Sequence, residues 1–191
     1  VVDSTGFIGV RGPYTASLLF KNGYKNVVPI GCPTLFRGLV RDFNVGNCLR
    51  EKKRADIKTV NVFHRTLADL SPNLLDADVL LGQDFLDEVV FTKGHEDNVV
   101  RQNEIIKFQK AKYGAVFLRE VEKKGFFTTS YDEWFNQIGT ADFVISPRLH
   151  GCIAAITQGI PSVMIARDLR VEEVADFFDI PHIKYEDFSA N

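Results

Sequence analysis

The chain has 191 residues, is 45% hydrophobic and 25% charged, and carries a formal net charge of −2. That is the balance of an ordinary soluble globular protein long enough for one sizeable α/β domain or two very small ones, and it argues against a general binder of nucleic acid or anionic membrane. There is no run of about 18 apolar residues to span a bilayer and no signal peptide. The three cysteines, Cys32, Cys48 and Cys152, are widely spaced without a C-x-x-C, which fits reduced, buried thiols better than zinc or a disulfide framework.

Phe7 to Val10 reads as a short strand. Gly12-Pro13 breaks it and opens a helix that stops near Asn22-Gly23. Val27 to Ile30 is a second strand, so the first thirty residues have the size of a βαβ unit. Phe36 to Asp56 is irregular, with a helical turn. Thr59 to Phe63 is a β-branched strand ending at His64-Arg65. From Ser71 to Asp84 a capping serine, a proline and several leucines predict a helix. Glu88 to Thr92 suits a strand, and Asn103 to Tyr113 a helix. Ala115 to Leu118 suits either a strand or a continuation of that helix. Phe126 to Thr129 is a strand, and Ser130 caps a helix containing Trp134, Phe135 and Ile138. The remainder alternates: strand Phe143–Ile145, helix Leu149–Gln158, strand Ser162–Ile165, helix Val171–Phe178 and strand His182–Tyr185. This rhythm predicts a Rossmann-like parallel sheet with helices on both faces. Ligands of such sheets bind beyond the carboxyl ends of the strands.

Three strand-to-helix junctions carry chemistry. In "SPRLHGC", Ser146 ends a strand and Arg148, Leu149, His150 and Gly151 open an apolar, buried helix. A helix start already holds partial positive charge and free N–H groups. Adding Arg148 and His150 there makes sense if an anion sits opposite them. Gly151 lets the backbone come close, and a histidine can move a proton near neutral pH. The plainer alternative is a surface arginine and a packing histidine. In "GVRGPYT", Arg11 repeats the arrangement, with an exposed loop arginine as its alternative. In "ARDLRVEE", Asp168 and Arg170 precede a helix. They either cap and pair structurally or touch a substrate. No G-x-G-x-x-G, Walker or H-E-x-x-H motif occurs, and no aspartate cluster suggests a divalent metal.

Three segments, "IGVRGPYTASLL", "VPIGCPTLF" and "ADFVISPRLHGCIAAITQGIPSVMIARDLRVEEVADFFDIP", resemble the polysaccharide pyruvyl transferase family. The specific signatures are Ser146, Arg148, Leu149 and His150 followed by Gly159 and Pro161, then Asp168, Arg170 and Glu173. The middle, from Asp42 to Gly125, matches only in its strand–helix rhythm. The resemblance implies a GT-B architecture, with residues 1–191 as the single Rossmann-like C-terminal domain and the N-terminal domain absent. It implies transfer of the pyruvyl group of phosphoenolpyruvate to two sugar hydroxyls of a polysaccharide or its precursor as a ketal, with release of phosphate. It also implies a cytoplasmic location at the inner face of the membrane and a small-molecule donor with a sugar or glycolipid acceptor. No cofactor beyond the donor, no metal and no nucleic acid are implied. His150 and Arg148 become the expected catalytic pair, with His150 as general acid in its charged form. Arg11, Leu149, Gly151, Ser146, Asp168 and Arg170 become expected substrate-binding residues. The competing expectations are a GT-B glycosyltransferase using a nucleotide sugar, with Glu173 on the ribose, and a non-catalytic binding domain derived from such an enzyme.

Overall fold

A computed structural model describes residues 6–40, 52–63, 76–83, 103–104, 107, 115 and 118–189. Among these, six strands form one parallel sheet: β3 (Thr59–Val62), β4 (Val79–Leu81), β5 (Gly125–Phe126), β6 (Phe143–Ser146), β7 (Ser162–Ala166) and β8 (His182–Lys184). The spatial order is β5-β4-β3-β6-β7-β8, and every neighbouring pair is parallel. The chain steps outward from β3 to β5, returns to the other side of β3, and steps outward again. That reversal is the arrangement of a doubly wound, Rossmann-like sheet, and it leaves a crevice beyond the carboxyl ends of β3 and β6.

The strands are short apolar runs because both sheet faces are covered. Helices α2 (Tyr131–Gly139), α3 (Leu149–Ile156) and α4 (Leu169–Phe177) share one face. Trp134, Phe135 and Ile138 of α2 pack with Val60, Val62, Leu81 and Val144. Cys152 and Ile153 of α3 pack with Met164, Ala166 and the Val171–Ala175 face of α4. Strand side chains alternate, so Ile165 points the opposite way. It meets Ile145 together with Tyr185 and Phe188 of α5 (Tyr185–Ser189). Cys32 and Cys152 are free and buried, and burial pushes the Cys152 thiol up to about 12. Both are inert packing groups; Cys48 lies outside the described residues.

The first strands do not join this sheet. β1 (Ile8–Val10) and β2 (Val27–Pro29) make a separate two-stranded parallel pair, with α1 (Pro13–Lys21) between them and a small core of Val10, Ala16 and Val27. A 3-10 stretch, Pro33–Val40, follows. Its Leu35, with Cys32 before it, packs into the α3–α4 core and so fastens this unit to the main body.

Two sequence expectations need correction. Val79–Leu81 is a strand rather than part of a helix. Its leucines are fully buried at the centre of the sheet, and a short apolar run bounded by Asp78 and Gly82 suits a central strand as well as a helix turn. Phe126–Thr129 contributes only Phe126 to pairing. Beyond it, the Thr128 hydroxyl accepts from the Ser130 N–H at 3.0 Å and donates to Glu133 Oε2 at 2.6 Å, so it builds the start of α2. Residue 115 and residues 118–124 are helical, so the described ends of Ala115–Leu118 are helix rather than strand. His64-Arg65 and the expected strand Glu88–Thr92 lie outside the described residues.

Candidate active site

The chain after β6 turns sharply because Ser146 ties it down. The buried Ser146 Oγ donates to the Arg148 carbonyl at 2.6 Å and accepts from the Arg148 N–H at 3.2 Å. This loop sets Arg148 as the residue before α3, where no side chain caps the helix. By contrast, Ser130 caps α2 and Asp168 caps α4. Gly151, in the first turn, packs against the sheet. A Cβ there would lie 2.3 Å from Ser146 Oγ and 2.7 Å from Val62 Cγ2. Its smallness therefore seats α3 close to β3. Arg148 Nε donates to the Phe63 carbonyl at 2.9 Å, directly after β3. The guanidinium thus spans the crevice between β3 and β6.

That crevice opens into a cavity of about 340 Å³, at the small end of the usual range for ligand sites. Arg148, Leu149 and His150 line it from the β6–α3 junction, and Asp168 and Arg170 from the β7–α4 junction. Arg11 reaches it from the end of β1. Six of the eight expected site residues therefore meet. The other two, Ser146 and Gly151, stand behind the wall and shape the turn.

Two further polar lining residues escape sequence reasoning. Arg167 directly follows β7, and Gln83 lies just beyond β4. Arg167 stood in plain view in "ARDLR". Its signal was position, since it is the first residue past a strand end, as Arg11 is. Gln83 was hidden because its strand was read as a helix.

The electrostatics are lopsided. Four arginines and a histidine border the cavity, and Asp168 is the carboxylate among the described lining residues. Asp168 is already engaged: Oδ1 accepts from the Val171 N–H at 3.0 Å, capping α4, and Oδ2 lies 3.4 Å from Arg170 Nη2. It therefore both caps and pairs, at the edge of the cavity. Burial pushes the Arg167 guanidinium below its ordinary value. Tyr185 and Asp168 oppose that shift, and Arg148 and Arg170 add to it. It stays charged, as arginines in proteins do. Partial burial, then the charges of Arg11 and Arg170, hold His150 below its ordinary 6.5. On their own, the protein groups around His150 thus favour its neutral imidazole. Guanidiniums brought together at an uncapped helix start repel one another until an anion joins them.

The model of the polysaccharide pyruvyl transferase family matches residues 2–168. The chain belongs to that family. The match covers both strand-end arginines of the notable junctions, Arg11 and Arg148, together with His150, Arg167 and Asp168, and stops short of Arg170 and Glu173. No curated protein and no solved structure matches the chain significantly. Membership makes this pyruvyl transferase an enzyme that moves pyruvyl groups from phosphoenolpyruvate to sugars. Among the described residues of the transferase, no helix is long and apolar enough to cross a membrane, and no group of three or more His, Cys, Asp and Glu is placed to hold a metal ion.

Proposed function

We propose that the arginine-lined cavity is the phosphoenolpyruvate site and that His150 handles the proton of the reaction. One observation carries this reading: Arg11, Arg148, Arg167 and Arg170 surround a single small cavity with His150 on its wall. Phosphoenolpyruvate carries a carboxylate and a phosphate on three carbons. Planar guanidinium forks suit both groups, and two separate strand ends suit a ligand with two acidic ends.

The reaction balances as follows. The enol carbon C3 gains a proton and becomes the methyl group. C2, now electron-poor, bonds a first sugar oxygen. A second sugar oxygen then bonds C2 as the C2–O bond to phosphate breaks. One hydroxyl proton of the acceptor is accounted for by the new methyl C–H, and the other leaves with phosphate. The donor's negative charge sets aside the repulsion that Arg11 and Arg170 exert on His150. His150 then takes up a proton and becomes the acid that protonates C3. Arg148 and Arg167 stabilise the charge on the departing phosphate.

The nucleotide-sugar alternative has less support. Glu173, its candidate ribose partner, accepts from the Thr15 N–H at 2.6 Å and from Thr15 Oγ1 at 2.8 Å. That carboxylate caps α1. In this reading residues 1–191 serve as the donor-binding, C-terminal half of a GT-B enzyme. It works in the cytoplasm, where phosphoenolpyruvate is made, on a cell-envelope sugar precursor.

The test is phosphate release from phosphoenolpyruvate by the full-length protein with a panel of sugar lipids. Arg148→Ala and His150→Ala are expected to lower the rate by about a hundredfold or more, the usual loss for a charge-stabilising donor or a general acid. Variants that release phosphate at the parent rate would refute the assignment.

A further inference from the structure

A second hollow, of about 340 Å³, adjoins the arginine cavity. The two share Gln83 and His150 as wall residues. The rest of its described wall differs sharply in chemistry: the run Thr128, Thr129, Ser130 and Tyr131 at the start of α2, and Trp134 one turn on. It contains no arginine or lysine among its described lining residues.

We propose that this hollow is the acceptor-sugar subsite, a reading that rests on the donor site proposed above. A sugar ring presents apolar C–H faces and a rim of hydroxyls, so it needs an aromatic platform beside convergent polar groups. Tyr131 is half exposed and anchored behind by Phe135, with the ring centroids 5.7 Å apart and stacked. Trp134 lies 6.2 Å from Tyr131, centroid to centroid. Together they form an aromatic wall.

The polar groups point the same way. The Ser130 Oγ accepts from the Glu133 N–H, which leaves its own proton to donate. Thr129 is exposed beside it. Trp134 is more than nine-tenths buried, and its indole N–H meets no acceptor among the described residues. Such orphaned donors are uncommon in folded proteins; this one is shut off from the surface, so Trp134 serves the hollow through its ring rather than through its N–H.

Position decides between this hollow and another. A larger one, of about 480 Å³, lies against Tyr14, Leu169 and Phe177, but it has no described wall residue in common with the arginine cavity. The acceptor oxygens must bond C2 of the donor. A sugar that meets the donor across His150 places its hydroxyls there. His150 then divides the two substrates and faces both.

Trp134 is the sole tryptophan of the chain, so its fluorescence reports on this hollow. The experiment titrates the full chain with methyl glycosides of glucose, galactose, mannose and N-acetylmannosamine. Phosphoenolpyruvate affinity is measured separately by calorimetry. At least one glycoside is expected to change the emission saturably. Tyr131→Ala is expected to weaken that response about tenfold and Thr129→Ala to weaken it less, both with phosphoenolpyruvate affinity unchanged. Tyr14→Ala is the control and leaves both unchanged. Arg148→Ala separates the two readings: it loses phosphoenolpyruvate and keeps the glycoside response. No response to any glycoside, or a response lost in Tyr14→Ala and retained in Tyr131→Ala, overturns the subsite. Failure of the parent chain to bind phosphoenolpyruvate overturns the donor reading instead.

Discussion

His150 shows how one residue's state depends on what lies beside it. The protein groups around it, partial burial first and then Arg11 and Arg170, hold its imidazole below 6.5. The folded protein therefore binds fewer protons than the unfolded chain just below pH 6.5. By linkage, the stabilising contribution of this residue is complete above that pH and is lost as pH falls through the lowered pKa. A polyanion reverses the local field, so binding raises the pKa and draws in a proton. Calorimetry of phosphoenolpyruvate binding near pH 6.5, in buffers of different ionisation enthalpy, should show net proton uptake by the parent and a smaller uptake by His150→Gln. Equal uptake in both would remove His150 from the proton's path. The sequence shows this histidine beside Arg148 but not what surrounds it, because Arg11 and Arg170 come from other segments of the chain.

At the scale of elements, the junctions are held by side chains that never face the cavity. Glu173, on α4, is buried and caps α1 through Thr15. The fit requires Gly12, where a Cβ would fall 2.2 Å from Glu173 Cγ and 2.6 Å from its carboxyl carbon. Arg11 is the preceding residue, so this clasp also aims Arg11. Glu173→Ala is expected to destabilise the fold by about 1–3 kcal/mol through the unsatisfied helix start. It should also weaken phosphoenolpyruvate binding without touching the ligand. Gly151→Ala is expected to destabilise by about 1–3 kcal/mol through overpacking against Val62 and Ser146. Chemical denaturation measures both, and a neutral Gly151→Ala would show that α3 can shift outward freely. Glu173 is legible in the sequence as part of the Asp168, Arg170 and Glu173 signature. Its partner on α1 is not, since nothing in the sequence tells which helices touch.

At the scale of the whole molecule, alternating apolar runs revealed the fold class. The Pro13 helix start, the Ser130 cap and the Gly23 stop were readable because each rests on local backbone chemistry. What local chemistry could not supply was membership of a sheet. β1 and β2 read as ordinary strands but pair only with each other among the described residues, while β4 hid inside a leucine-rich run. The same limit explains the site: strand-end arginines are visible one at a time in the sequence, the large sheet brings the Arg148 and Arg167 junctions side by side, and the docking of α1 on α4 brings Arg11 to them. A cavity built this way should favour compact, multiply charged anions over nucleotides. Phosphoenolpyruvate is expected to raise the melting temperature through preferential binding to the native state, with uridine and guanosine diphosphates giving smaller shifts. A larger shift with either nucleotide would favour the glycosyltransferase reading.

Arg11 sits at the end of the small two-stranded unit, whereas Arg148 and Arg167 extend from the large sheet. Any molecule grasped by all three is a rivet between two plates. The rivet adds a third fastening to the two the protein already has, Leu35 in the α3–α4 core and the Thr15–Glu173 clasp.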